Sequence, residues 1–85
     1  MNVQFSEPAW EDYTHWQKYD RKLVKKINTL LADIGRDSPY EGIGKPEPLK
    51  HAFSGFWSRR ITDEHRLVYR VSGDVIQVAQ ARYHY

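Results

Sequence analysis

No cysteine occurs in the sequence. This absence excludes disulfide bridges, thiolate zinc sites and a cysteine nucleophile, and it is typical of proteins from a reducing compartment. The chain also lacks any run near the ~20 apolar residues that a membrane helix requires, and its first residues lack the basic and apolar regions of a secretory signal. We therefore expect a cytoplasmic protein that does not insert into a membrane.

Motifs for metals, nucleotides and serine nucleophiles are also missing. The four histidines are not spaced like the ligands of a His-Glu-x-x-His helix. The glycines form no phosphate-binding loop, and no serine stands in a Gly-x-Ser-x-Gly turn. We therefore predict that the protein uses neither a metal ion nor a cofactor.

The chain is short, and its charge is unevenly distributed. Its 85 residues are expected to form a single domain over residues 1–85, because a chain of this length buries only about 60 to 65% of its unfolded surface. Residues 1–44 contain six Lys and Arg against seven Asp and Glu, whereas residues 45–85 contain seven against four. Basic and aromatic side chains are interleaved in the second half, as on nucleic-acid-binding surfaces. A small aromatic core with solubilising arginines is the alternative interpretation.

A short strand and a first helix are predicted at the N-terminus. Val3 and Phe5 alternate with polar residues, as in a strand with one buried face. Ser6 can cap a helix that we expect over Glu7–Lys18. Three aromatic side chains of this helix recur at three-residue spacing and are interpreted as core: Trp10, Tyr13 and Trp16.

The second helix has the strongest periodicity in the sequence. It is predicted to begin after Asp20 and to end near Gly35. Its apolar residues follow the rhythm of a buried helical face: Leu23, Val24, Ile27, Leu30, Leu31 and Ile34. A row of lysines lies on the opposite face: Lys18, Lys22, Lys25 and Lys26. This row is interpreted either as a solvated face or as a surface that follows a phosphate backbone.

Residues 37–50 show no periodicity and contain three prolines and two glycines. We predict a long loop here, and loops of this length inside small domains tend to be functional. Glu47 lies between Pro46 and Pro48. Because a residue before proline is restricted to extended conformations, the Glu47 carboxylate is expected on a stiff backbone.

The remainder of the chain is predicted to form an antiparallel meander of three strands. These strands are expected over Phe56–Ile61, His65–Val71 and from Val75 to about Tyr83. Alternation in the middle strand places Arg66 and Arg70 on the face away from the core.

The last two residues raise a geometric question. In a regular strand, His84 and Tyr85 would point to opposite faces of the sheet. Since both belong to a stretch rich in chemically active side chains, we expect the end of the chain to leave the sheet.

A carboxylate, an imidazole and a guanidinium stand out: Glu47 in the loop, His84 near the end of the chain and Arg66 on the sheet. In metal-free RNA cleavage a carboxylate takes the proton of a ribose 2′-hydroxyl, an imidazolium protonates the departing 5′-oxygen, and an arginine stabilises the phosphoryl charge. Spacing alone does not bring these residues together. A solubilising glutamate, an inert histidine and an arginine paired with Asp63 or Glu64 are the alternatives.

Blocks of the sequence resemble a known family. They are Gly42–Lys50, Ser54–Ile61, His65–Tyr69 and Arg82–Tyr85. These blocks closely resemble the YoeB/Txe toxins, a branch of the RelE superfamily, and the similarity covers nearly the whole chain.

The resemblance implies both a fold and a function. The fold is α+β and microbial-RNase-like, with two N-terminal helices packed on a twisted antiparallel sheet. The function is that of a type II toxin that enters the ribosomal A site, cuts the messenger RNA there and is held inactive by a YefM-like antitoxin. A homodimer is implied as well. Two alternatives stay open: a ribosome-binding inhibitor of translation without nuclease chemistry, and an RNase that does not need the ribosome.

The resemblance also implies roles for single residues. The general base falls on Glu47, the general acid on His84 and the phosphate-stabilising arginine on Arg66. Tyr85 matches a terminal tyrosine beside the active site. Lys50 and Arg60 are implied to lie near the scissile phosphate. Arg59 and Arg82 are also predicted to contact RNA.

Overall fold

Two helices and five strands make up the computed structural model, which describes residues 1–36 and 38–83. In chain order they are β1 (Asn2–Phe5), α1 (Glu7–Tyr19), α2 (Arg21–Arg36), β2 (Glu47–Pro48), β3 (Trp57–Arg60), β4 (Arg66–Ser72) and β5 (Val75–Gln80), with a 3-10 turn at His51–Phe53 between β2 and β3. No helix in the described ranges is long and apolar enough to cross a membrane.

Both helices begin where the sequence predicts. The Ser6 hydroxyl accepts a hydrogen bond from the Ala9 N–H (3.1 Å) and caps α1. The Asp20 carboxylate accepts from the Lys22 N–H (3.1 Å) and so caps α2. The second helix ends one residue beyond Gly35, close to the predicted end.

The strands form one sheet in the order β1-β5-β4-β3-β2. The α+β class, with two helices packed on this sheet, is confirmed, and so is the antiparallel meander of β3, β4 and β5. The expectation of a wholly antiparallel sheet is wrong for β1, which pairs parallel with β5. A strand joined by a hairpin must run antiparallel, but β1 meets its partner across almost the whole chain, and the direction of pairing is then free.

The main core lies between the helices and one face of the sheet. It combines helix residues such as Ile27 and Leu30 with strand residues such as Leu67 and Tyr69. Of the aromatic stripe on α1, Trp16 is buried and Tyr13 half-buried. The stripe therefore belongs to the core only in part.

The N-terminal edge of the molecule is more exposed than predicted. Trp10 is 51% exposed and packs edge-on against Phe5 at a ring distance of 5.7 Å. Val3 is 42% exposed, so Phe5 alone represents the buried face expected for the first strand. The interpretation of Trp10 as a core residue is wrong, because β1 is an edge strand and leaves this end of α1 uncovered.

The loop predicted over residues 37–50 contains a short strand. Glu47 pairs with Ser58 and Pro48 with Trp57, so β2 forms the outer edge of the sheet. An edge strand tolerates proline, since its missing N–H need not face a neighbour. The expectation of a loop without regular structure is corrected accordingly, and Asp37 lies outside the described residues.

The last strand contains an extra residue and ends early. Val68 pairs with Gln80 but Tyr69 pairs with Val78, so Ala79 forms a bulge. The strand ends at Gln80, before the predicted end at Tyr83, and Tyr83 has a left-handed backbone (φ 62°). The chain has thus left the sheet by Tyr83, while His84 and Tyr85 lie outside the described residues.

Candidate functional site

The face of the sheet opposite the main core, called the open face below although Ser58 and Val68 on it are buried, carries three of the predicted site residues. Strand pairing aligns Glu47 with Ser58, Ser58 with Val68, and Arg60 with Arg66. Residues paired in this way share one sheet face, and it is the face opposite Leu67 and Tyr69 of the core. By ordinary strand spacing the Cα atoms of Glu47 and Arg66 are about 10 Å apart across the sheet and about 7 Å apart along it.

Glu47 is held at the edge of this face with its carboxylate exposed. Three residues before Glu47, Gly44 has φ 80°. A Cβ atom at Gly44 would lie only 2.8 Å from Leu30 Cδ2, so a side chain does not fit there. The Gly44 carbonyl accepts a hydrogen bond from the Arg60 N–H (2.7 Å). Within the described ranges, no side chain makes a hydrogen bond or ion pair with Glu47, so this carboxylate is available to a substrate.

Arg66 is oriented by the turn between β3 and β4. Its Nη1 donates to the carbonyl oxygens of Thr62 (2.6 Å) and Asp63 (3.0 Å). Its bonds therefore go to backbone carbonyls, and no ion pair with Asp63 or Glu64 forms in the described structure. Nε and Nη2 have no partner among residues 1–36 and 38–83, which leaves them able to contact an anion such as a phosphate.

The other predicted basic residues differ in their surroundings. Lys50 is exposed and Arg60 is half-buried. The Arg82 guanidinium lies over the rings of Trp16 (5.7 Å) and Tyr83 (4.6 Å), and its Nε is buried without an acceptor among the described residues. Contacts with aromatic rings thus position this cation near the C-terminal segment.

Arg59 does not lie on the surface, and its predicted contact with RNA is corrected. The side chain is fully buried, because it points from β3 into the core face of the sheet. All five N–H donors of its guanidinium have acceptors: Tyr69 Oη, Asp33 Oδ2 and the carbonyl oxygens of Ile43, Ser38 and Glu41. No donor is left for a nucleic acid.

Asp33 and Tyr69 complete this buried network. The Asp33 carboxylate lies 2.5 Å from Arg59 Nη1 and also accepts from the Ile43 N–H (3.2 Å). The hydrogen bond from Arg59 holds the pKa of Asp33 below its ordinary value, although burial opposes this effect. Burial raises the pKa of Tyr69, whose hydroxyl donates to the Pro39 carbonyl. The network joins α2, β3 and β4 to the loop that leads to Glu47.

The same loop contains a glycine that the network requires. Gly42 has φ 125°, and a Cβ atom at this position would lie 2.1 Å from Asp33 Oδ2. Any other residue would displace the carboxylate from Arg59. Sequence reasoning missed this network, although a charged residue next to Ile34 on the apolar face of α2 was an available signal.

The C-terminal segment, residues 81–83, is held by side chains from α1 and from the turn before β4. The Ala81 N–H donates to Asp12 Oδ2 (3.0 Å), and the Ala81 carbonyl accepts from Trp16 Nε1 (2.9 Å). The Tyr83 N–H donates to His65 Nδ1 (2.8 Å). These contacts were not predicted, because they join residues that are far apart in the sequence.

The backbone of Tyr83 also meets Arg66 directly. Its carbonyl oxygen accepts a hydrogen bond from the Arg66 N–H (3.0 Å). The segment that leads to His84 therefore runs beside the arginine predicted to bind phosphate. His84 and Tyr85, the predicted acid and terminal tyrosine, lie outside the described residues.

The described residues of the site supply a carboxylate and guanidinium groups. No group of three His, Asp or Glu side chains in the described parts of the chain could hold a metal ion. An exposed carboxylate and two arginines share one sheet face, and one of these arginines has free N–H groups. Such an arrangement suits a phosphodiester placed between the carboxylate and the cations.

Comparison with known proteins identifies close relatives. Residues 5–85 match the family described as YoeB-like toxin of bacterial type II toxin-antitoxin system. The chain is 59% identical to Toxin YoeB of Escherichia coli (strain K12) over 85 residues, which cover 100% of both proteins. This chain and the Escherichia coli toxin therefore align along their full lengths and share most positions.

Solved structures of similar proteins agree with this fold. A YoeB/ParE toxin from Agrobacterium tumefaciens matches with a TM-score of 0.95 at 49% identity, over 100% of both chains. Toxin chains of a YoeB dimer and of a heterotetrameric YoeB-YefM complex from Staphylococcus aureus match with TM-scores of 0.94 at 53% identity, over 100% of this chain and 98% of theirs.

Proposed function

The chain belongs to the YoeB-like toxins of bacterial type II toxin-antitoxin systems, and on this basis we propose that it is an endoribonuclease that cuts messenger RNA in the ribosomal A site. One observation carries the proposal: Glu47, Arg60 and Arg66 share the open face of the sheet, beside the segment that leads to His84. Cutting the message there inhibits translation, in the cytoplasm where ribosomes act.

The proposed reaction is acid-base catalysis without a metal ion. Glu47 removes the proton of a ribose 2′-hydroxyl, and that oxygen attacks the adjacent phosphorus. Arg66 stabilises the charge that develops on the phosphoryl oxygens. The bond to the 5′-oxygen breaks, and His84 donates the proton that this oxygen needs. One product ends in a 2′,3′-cyclic phosphate, which water can open to a 3′-phosphate, and the other in a 5′-hydroxyl.

Further residues are proposed to bind the RNA. Lys50, Arg60 and Arg82 contact phosphates on either side of the cut, and Tyr85 lies beside the reacting phosphate. The geometry of Arg66 supports its own proposed role in binding the phosphate. The turn carbonyls hold Nη1 of its guanidinium, while Nε and Nη2 have no partner in the described parts of the chain. A cation held in place in this way loses little freedom when it binds a phosphate.

Two protein partners are proposed from the relatives. A YefM-like antitoxin would bind this chain and block its activity, as the name of the Staphylococcus aureus complex suggests for that toxin. A homodimer is proposed from the Staphylococcus aureus YoeB dimer. The ribosome and the messenger RNA are the proposed substrate assembly.

The proposal is tested by comparing the wild type with Glu47→Gln on ribosomes that hold a defined message. Loss of the base is expected to lower the cleavage rate by ~10² to 10⁴-fold, which is the usual contribution of general acid-base catalysis. Primer extension measures the new 5′ ends. Because Glu47 is exposed, the variant should unfold at the same temperature as the wild type.

Controls separate the alternatives. A message with 2′-deoxyribose at the cut position must resist the wild type, because its nucleophile is missing. Full activity of Glu47→Gln, or efficient cutting of the deoxy message, overturns the mechanism. Stalled but intact messages identify a ribosome-binding inhibitor, and equal cutting of naked RNA identifies an RNase that does not depend on the ribosome.

A further inference from the structure

His65 occupies a junction between three parts of the molecule. It directly precedes β4, and its ring lies 4.7 Å from the ring of Trp16 on α1 and 5.7 Å from that of Tyr83. Its own N–H donates to Thr62 Oγ1 (3.1 Å), which fixes its backbone in the turn. The imidazole is therefore held on both sides, and its orientation is determined by packing.

One nitrogen of this ring has a defined task. His65 Nδ1 lies 2.8 Å from the backbone nitrogen of Tyr83. A backbone N–H can only donate, so Nδ1 is the acceptor in this hydrogen bond. The imidazole thus binds the C-terminal segment through Nδ1, as a hydrogen-bond acceptor.

Tyr83 needs such a contact because of its conformation. Its φ angle of 62° lies in the left-handed region, which a tyrosine seldom adopts. His65 binds the N–H of Tyr83, and the adjacent Arg66 binds its carbonyl oxygen through its own N–H. His65, just before β4, and Arg66, its first residue, therefore hold both polar groups of the Tyr83 backbone.

We propose that His65 is a positioning residue for the proposed cleavage reaction: its Nδ1 holds the backbone of Tyr83, the residue before the proposed acid, beside Arg66. It does not touch the RNA in this role. The proposal rests on the endoribonuclease function proposed above, because the group it positions is the segment that leads directly to the proposed acid, His84.

Two substitutions separate the hydrogen bond from the ring. His65→Phe keeps an aromatic ring between Trp16 and Tyr83 but removes the acceptor. His65→Asn removes the ring but puts a carbonyl oxygen two bonds from Cβ, where Nδ1 stands in the wild type. Asparagine cannot transfer protons as an imidazole does, so an active His65→Asn enzyme also rules out a direct catalytic role for His65.

The kinetic test uses steady-state cleavage of a message on the ribosome. For His65→Phe we expect kcat to fall by about 10²-fold with KM little changed, since misplacement of a catalytic group by ~1 Å has this cost. For His65→Asn we expect kcat within about tenfold of the wild type. A His65→Phe enzyme with wild-type kcat, or a His65→Asn enzyme as slow as His65→Phe, overturns the proposal.

An NMR measurement without RNA tests the hydrogen bond itself. In the ¹⁵N-labelled wild type, a scalar coupling across the hydrogen bond is expected between His65 Nδ1 and the Tyr83 amide nitrogen. Amide exchange at Tyr83 should be faster in His65→Phe and close to wild type in His65→Asn. Absence of the coupling overturns the role of His65 whatever the kinetics show. If Glu47→Gln cleaves like the wild type, the proposed function fails instead, and the coupling still decides whether His65 holds Tyr83.

Discussion

The loop that leads to Glu47 is anchored by buried charge, whereas residues 81–83 are anchored by separate hydrogen bonds to α1 and to His65. On the loop side, Asp33 and Arg59 form an ion pair in the core, and every guanidinium donor is used. On the C-terminal side, each bond comes from a different side chain, and the loss of one leaves the others in place.

This difference has consequences for stability and motion. Removal of one member of a buried ion pair leaves a charge without a partner, which affects the whole fold. Removal of one of several separate hydrogen bonds favours local opening instead. We therefore expect the position of the proposed base to depend on global stability, and the position of the segment that leads to the proposed acid to depend on local contacts.

Arg59→Met should have the largest effect on stability. Because Arg59 is fully buried, its loss should lower the free energy of unfolding by about 3 to 5 kcal/mol, as measured for broken buried ion pairs. Urea unfolding of the wild type and the variant measures the change. The matched control is Arg60→Met, one residue away on the open face, where we expect at most about 0.5 kcal/mol.

A double substitution sharpens this result. Asp33→Leu combined with Arg59→Met removes both charges, and it should be more stable than Arg59→Met alone, because no unpaired charge stays in the core. If Arg59→Met and Arg60→Met lose equal stability, the buried pair does not anchor the loop.

Low pH should have the next largest effect, because it weakens the ion pair that anchors the loop before Glu47. Since the Arg59 hydrogen bond lowers the pKa of Asp33 in the folded protein, the unfolded chain binds this proton more readily. The carboxylate then contributes stability above its unfolded pKa of about 3.9, and this contribution is lost as the pH falls through the lower folded value.

Urea unfolding at pH values from 7 down to 3 tests this dependence. The stability difference between the wild type and Asp33→Asn should be constant near neutral pH and shrink below about pH 4. A difference that stays constant down to pH 3 would mean that Asp33 does not titrate differently in the folded protein.

Of the substitutions that break an anchor, Trp16→Phe should have the smallest effect on stability. The variant keeps a ring in the core but loses the indole N–H that binds the Ala81 carbonyl, at a cost of about 1 kcal/mol. Amide hydrogen exchange should accelerate at residues 81–83 and stay unchanged at residues 38–44. Trp10→Phe is the control, because Trp10 is half-exposed and makes no bond to this segment. Equal acceleration in both segments would remove the distinction between the two anchors.

Local patterns in the sequence predicted most of the architecture. The caps at Ser6 and Asp20, the apolar period of α2 and the three-strand meander depend on neighbouring residues, and all appear in the structure, although the last strand ends earlier than predicted. Placement of Glu47 and Arg66 on one face could not be derived in this way, because it depends on the pairing of β2 with β3. The roles proposed for both residues came from the family resemblance.

The amino-acid sequence by itself determined the family, the two helices and the order of the main strands, since periodicity, caps and motif spacing are local properties of the chain. Only the tertiary structure decided that Arg59 lies in the core while Arg60 lies on the open face, that β1 runs parallel to β5, and that His65 holds Tyr83. The physical reason is the same in each case: these contacts join distant segments, and their energies depend on burial and geometry that no local pattern contains.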